Sequence, residues 1–212
     1  MATEQIKARN CKAIGMKVID RDRASCVHAS EWCQANCYNC KLYKQYKDMT
    51  PFDQILRNQW SLFDNLQNLG DRFRLCSRGE PIANELDIDR IASLANNNPD
   101  TLFWVPTRSW RNIYLCNLIN ARLRPIGNVR VCASIDPSLI VEYQGATGCH
   151  AWSVMAVDVD NADLDALRGQ VPVMCKKTWC ERSERKALHG SCATCNKGCF
   201  STDRVTVNLK KH

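Results

Sequence analysis

The sequence predicts an α/β fold, an incomplete, open parallel β/α barrel, and three observations predict it. Short strand-like runs alternate with longer runs of helical periodicity from Met16 to Met174. Polar links rich in Gly, Pro and Asn separate them, and strands joined through helices lie parallel because a parallel neighbour needs a crossover. The strand and helix pairs number about five or six, fewer than the eight of a closed barrel.

In chain order, Met16, Val18 and Ile19 form the first candidate strand. Pro51 to Leu69 reads as a helix, with Pro51 in its first turn, Ile55, Leu56, Phe63, Leu66 and Leu69 near one face, and Gly70 ending it. Phe73-Arg74-Leu75-Cys76 alternates as a strand does and delivers Ser77 to Glu80 at its carboxyl end. A helix over Leu86 to Leu94 leads to a turn at Asn96 to Asp100 and to a strand from Thr101 to Val105 that ends at Pro106. Thr107, Arg108 and Ser109 follow it, with Arg108 suited to pair with a carboxylate or phosphate. Ile113 to Leu123 is the next helix and Val129 to Ala133 the next strand. Leu139 to Tyr143 reads as a short helix or strand, Trp152 to Val159 as a strand, Asp163 to Leu167 as a short helix, Val171 to Met174 as a last core strand, and Arg204 to Leu209 as an edge strand. In parallel α/β folds ligand-binding residues gather at the carboxyl ends of strands, which gives Glu80 a functional position.

The sharpest chemical signal is Cys33-Gln34-Ala35-Asn36-Cys37-Tyr38-Asn39-Cys40, with C-x3-C-x2-C spacing. Thiolates are the soft ligands that iron-sulfur clusters prefer, and three so close reach three corners of one cube. That leaves one iron without a ligand from this loop, open to a small molecule. The same spacing also suits a zinc knuckle, or a cluster completed by Cys26, Cys11 or His28. Taken singly, Cys11 and Cys26 read as partly buried thiols, and Cys76, Cys116, Cys132 and Cys149, each alone in an apolar run, as small hydrophobes.

Cys175, Cys180, Cys192, Cys195 and Cys199 form a second group, with His189 nearby and Lys176, Lys177, Arg182, Arg185, Lys186 and Lys197 around it. Residues 1–174 are therefore read as the partial barrel and 175–212 as a cysteine-rich metal-binding extension. Cys180, Cys192, Cys195 and Cys199 are the candidate ligands of a second metal centre, for which zinc and an auxiliary iron-sulfur cluster fit the spacing equally.

The chain has 212 residues, 45% hydrophobic content, 14 cysteines and a formal net charge of +7. It holds no apolar run long enough to cross a bilayer and starts without the apolar segment of a secretory signal, so a cytoplasmic location and no membrane partner are expected. In a reducing compartment that many thiols argue for metal ligation over disulfides. The positive charge suits contact with a polyanion such as nucleic acid, and the Lys41 to Lys47 stretch interleaves lysines with Tyr43 and Tyr46, a composition used by single-strand sites and equally by a solvated helix start. There is no Walker loop, no G-x-G-x-x-G after a strand, no G-x-S-x-G elbow and no H-E-x-x-H helix.

The cysteine loop, the Ser77-Arg78-Gly79-Glu80-Pro81 segment and Ser134-Ile135-Asp136 after a strand together resemble the radical S-adenosylmethionine (SAM) superfamily. More narrowly, the Cys-Tyr loop and cysteine-dense tail are similar to small proteins encoded by tailed bacteriophages, which would place the chain in a host cytoplasm. The resemblance implies a radical-SAM-type barrel, a [4Fe-4S] cluster on Cys33, Cys37 and Cys40, and SAM chelating the open iron. It implies that Gly79 and Glu80 meet the SAM amino group and Ser134 and Asp136 its ribose, and that one-electron reduction releases a 5′-deoxyadenosyl radical. Arg78 stands where the family has a glycine, and Asn39 where many members carry an aromatic residue. These departures favour a second expectation, a non-catalytic iron-sulfur protein with a structural, redox-sensing or nucleic-acid-binding role. Neither expectation names a substrate or an oligomeric state.

Overall fold

The structure is a computed structural model that describes residues 6–7, 9–11, 16–37, 50–160, 163, 200 and 206–209. Among these residues the main sheet has seven strands. An antiparallel edge strand β2 (Arg9–Cys11) pairs with β3 (Met16–Ile19), and from there every pairing is parallel, through β5 (Arg72–Leu75), β6 (Leu102–Thr107), β7 (Val129–Ile135), β8 (Ser153–Val157) and β9 (Thr206–Leu209). A separate two-stranded ladder joins β1 (Ile6–Lys7) to β4 (Leu66–Gln67). The helices are α1 (Glu31–Asn36), α2 (Thr50–Ser61), α3 (Glu85–Asn96), α4 (Ile113–Arg122) and α5 (Ile140–Gly145).

The six parallel strands lie side by side in the order in which they occur in the chain. Right-handed crossovers that always step the same way put their helices on one face, whereas a doubly wound sheet reverses direction at a switch point. The core shows this. Phe73, Leu75, Phe103, Val105, Val131, Ala133, Ile135, Val154 and Ala156 share one apolar cluster with Ile88 and Ile91 of α3 and Leu115 and Ile119 of α4. The other face carries a small cluster of Trp104, Cys132 and Met155 with Phe200 against it. There the Arg74 guanidinium lies 4.6 Å over the Trp104 ring. Among the described residues the sheet is open, with β2 and β9 at its edges.

Local signals explain the elements. Asn84 and Asp87 form a capping box that starts α3, and Asn112 caps α4 by accepting from the Leu115 N–H. Cys76, Cys116, Cys132 and Cys149 are all buried in the described core, as expected of thiols used as small hydrophobes.

Three boundaries differ from expectation. The helix expected from Pro51 to Leu69 stops at Ser61; Phe63 and Leu66 keep their buried places through a tight turn and β4, and Asn68 turns the chain with φ of 56°. β6 runs through Pro106 to Thr107. Its ladder to β5 ends at Trp104, so on that side the proline faces no strand that would need its missing N–H. β7 continues to Ile135 and so carries Ser134 within the strand. The last strand comes from the far end of the chain, β9, while the expected strand Val171 to Met174 lies outside the described residues.

Among the described residues, no helix is long and apolar enough to cross a membrane.

Candidate functional site

The carboxyl ends of β3, β5, β6 and β7 bring together most of the polar residues that the core buries. Asp20 follows β3, and its Oδ1 accepts from the Ser77 N–H (2.8 Å), the Ser77 hydroxyl (2.8 Å) and the Arg78 N–H (3.0 Å). The loop after β5 is thereby tied to the end of β3, and the Arg21 N–H adds a bond to the Arg78 carbonyl at 3.0 Å. Gly79 then turns with φ of 77°, and a Cβ there would meet Arg21 Cβ, the Arg21 carbonyl oxygen and Ser25 Oγ, each at 2.7 Å. Only glycine fits so close an approach in the left-handed region.

Glu80 follows and points inward, 6% exposed. Its Oε1 accepts from the Thr107 hydroxyl (2.6 Å) and the Ile82 N–H (3.2 Å), and its Oε2 from the Arg108 N–H (2.9 Å). Burial pushes its carboxyl up to about 7, with these hydrogen bonds pulling the other way. A carboxylate offers about four lone-pair positions. Glu80 thus keeps one, on Oε2.

Asp136 ends β7 and is wholly buried. Its Oδ1 accepts from the Ser138 N–H (3.0 Å) and hydroxyl (2.6 Å), its Oδ2 from the Ser30 hydroxyl (2.5 Å) and the Arg108 guanidinium (2.8 Å). All of its lone pairs are engaged, so in this structure it braces the site and has none left for a ribose hydroxyl. Ser134 is buried at 7% exposure, and its carbonyl accepts from the Trp110 indole at 3.1 Å.

The cysteine loop begins at these same residues. Ser30 is the N-cap of α1, accepting from the Cys33 N–H at 3.0 Å, and Glu31 stands in the first turn where its charge suits the helix dipole. Cys33 and Cys37, four residues apart, lie on one face of this turn, both half-buried. Cys26, read from sequence as a partly buried thiol or as a residue completing the cluster, feels the charge of both: burial raises its thiol to about 12, and the negative charges of Glu80, Cys33 and Cys37 add to the rise. Cys26 closes the tight turn at Arg23–Ser25, its N–H bonding the Arg23 carbonyl. His28 Nε2 is buried without a hydrogen-bond partner, and burial together with the Arg111 charge lowers the imidazole's pKa.

Among the described residues no three His, Cys, Asp or Glu side chains are grouped to hold a metal ion. Cys40, Cys180, Cys192, Cys195 and Cys199 lie outside the described residues, as does the Lys41 to Lys47 stretch. The thiols that are described, the half-buried Cys26, Cys33 and Cys37, suit iron-sulfur or zinc chemistry by softness.

Of the expected cofactor residues, the fold brings Gly79, Glu80, Ser134 and Asp136 to one end of the sheet, with Cys33 and Cys37 joined to them through Ser30. Sequence reasoning missed Ser30 and Asp20. The Ser30-Glu31 pair before Cys33 is a helix-start signal that marks Ser30, and an acid directly after the first strand marks Asp20. Comparison with protein-family models, with curated proteins and with solved structures gave no match for this chain.

Proposed function

We propose that the chain is an iron-sulfur protein of the radical SAM kind, with a [4Fe-4S] cluster on Cys33, Cys37 and Cys40 and SAM as its small-molecule ligand. The observation that carries this reading is the fastening of the cysteine helix, through Ser30, to Asp136 and Arg108 at the carboxyl ends of β7 and β6. Strand order supports it further. The thiols follow the first parallel strand, Glu80 the second and Ser134-Asp136 the fourth, in a sheet wound in one direction as in a barrel.

When bound, the cluster would supply the electron that cleaves SAM. The chain's own residues would orient and shield. Gly79 lets the backbone come close, Glu80 offers its remaining lone pair to an ammonium group, and Ser134 faces the ribose. Asp136 acts through Arg108 and Ser30. The buried lining would keep water from the reacting groups.

A second reading has its own support. The charges of Cys33 and Cys37 reach the Cys26 thiol, although the three are not grouped to hold a metal ion in this structure. As a fourth thiol Cys26 would close the open iron and leave a structural or redox-sensing cluster without SAM chemistry. In either reading the tail thiols would hold a second metal, zinc or iron-sulfur. Nucleic acid would be drawn by the net charge of +7.

The test is iron and acid-labile sulfide content after anaerobic purification, for the wild type and for Cys33→Ala and Cys37→Ala. A brown wild type and iron-poor variants are expected. A colourless protein carrying only zinc overturns both readings.

A further inference from the structure

α1 is only six residues long and buries none of its side chains. A helix of that length does not hold itself, and most helices in proteins are held by a packed apolar face that this one lacks. Its anchor is polar. Ser30 Oγ accepts from the Cys33 N–H and donates to Asp136 Oδ2, and the Arg108 guanidinium bonds Ser30 Oγ at 3.0 Å and Asp136 Oδ2 at 2.8 Å. The Arg108 backbone N–H meanwhile binds Glu80 Oε2 at 2.9 Å. One residue thus joins the ends of β5, β6 and β7 to the first turn of the cysteine helix, and its three acceptors, on Ser30, Asp136 and Glu80, are all buried.

We propose that Arg108 is the positioning residue of the cysteine loop, holding α1 through Ser30 and Asp136 so that Cys33 and Cys37 stand at the strand ends before any metal arrives. This rests on the reading of those cysteines as ligands for its purpose, while the geometry needs no metal. The site then differs from a zinc finger, in which metal binding supplies the folding free energy of the ligand loop. Ordering done in advance by protein hydrogen bonds leaves more of the metal's binding free energy for affinity.

The test uses the metal-free full-length chain and iodoacetamide, with alkylation of each cysteine followed by peptide mass spectrometry. Arg108→Lys keeps a charge but ends one bond short of Nη1, the single nitrogen that bonds both Ser30 Oγ and Asp136 Oδ2. Ser30→Ala removes the hydroxyl, and Ser30→Thr keeps it. Cys132 and Cys149, 2% and 0% exposed, report on the core of the same molecules. Cys33 and Cys37 are expected to react about five- to tenfold faster in Arg108→Lys and Ser30→Ala, the scale of one lost N-cap bond read through local opening. Ser30→Thr is expected to match the wild type, and Cys132 and Cys149 to stay protected. Unchanged Cys33 and Cys37 rates in Arg108→Lys and Ser30→Ala overturn the proposal. So does an acceleration shared by Cys132 and Cys149, which marks general loosening. Iron content is measured separately: a chain that binds no iron yet shows the expected pattern loses the cluster and keeps the positioning role.

Discussion

Arg108 pairs with Asp136 at 2.8 Å, the carboxylate wholly buried and the guanidinium side chain 9% exposed. A buried pair of this sort adds little net stability, because both ions lose their water, but removing one partner leaves an uncompensated charge at high cost. Its value lies in geometry. The pair sits between the strand ends and the cysteine helix, so the placement of Cys33 and Cys37 and the integrity of the sheet top depend on the same few polar groups.

Gly79→Ala is the sharpest test of the loop that carries Glu80. The added Cβ would lie 2.7 Å from the Arg21 carbonyl oxygen, and φ of 77° is strained for any residue with a side chain. A loss of about 2–4 kcal/mol is expected, read as a melting temperature lower by about 5–15 °C. A thermal melt matching the wild type would show that the loop does not pass so close to Arg21.

Glu80 gives the chain a pH signature. Its carboxyl is raised by burial from 4.5 to about 7. Between those values the unfolded chain releases the proton that the folded chain keeps, so stability falls as pH rises from 4.5 to 7 and levels off above, by about 3 kcal/mol in all. His28, whose pKa is lowered, contributes the opposite slope as pH rises towards 6.5, so a variant comparison is needed. Glu80→Gln keeps an acceptor for Thr107 and Ile82, loses the bond from the Arg108 N–H, and removes the titration. Urea melts at pH 5 and pH 7.5 should show a wild type that loses more stability across the interval than the variant does. Equal losses would mean that Glu80 is ionised at both values.

Cys26→Ala separates the two readings of the cluster. With three ligands from Cys33, Cys37 and Cys40, the variant keeps wild-type iron, while Cys33→Ala loses most of it. If Cys26 is the fourth ligand, Cys26→Ala falls with Cys33→Ala. Iron per chain after anaerobic reconstitution decides the matter.

The α/β class and the parallel sheet were legible because strand and helix periods differ and their alternation survives in the sequence. The overlong helix from Pro51 to Leu69 shows the limit. Phe63 and Leu66 are buried as a helical face would bury them, but a tight turn and a strand do it instead, and periodicity alone does not distinguish these. At the site, Glu80 was legible from its place after a strand. Asp136 was legible as a site residue, while its engagement by Ser30, 106 positions away, depends on tertiary structure. Arg108 was read as a partner for a carboxylate or a phosphate, and only the fold supplies Asp136 as that partner. Cys26 was read both as a partly buried thiol and as a residue that could complete the cluster, and sequence spacing does not choose between these, because its relation to Cys33 and Cys37 depends on tertiary structure.

The central claim, an open iron at the end of this sheet, is tested most directly by electron paramagnetic resonance of the anaerobic, dithionite-reduced chain with and without SAM. If SAM binds an iron that Cys33, Cys37 and Cys40 leave free, the reduced-cluster signal is expected to change when SAM is added. A cluster signal indifferent to SAM, or no iron signal at all, would contradict it.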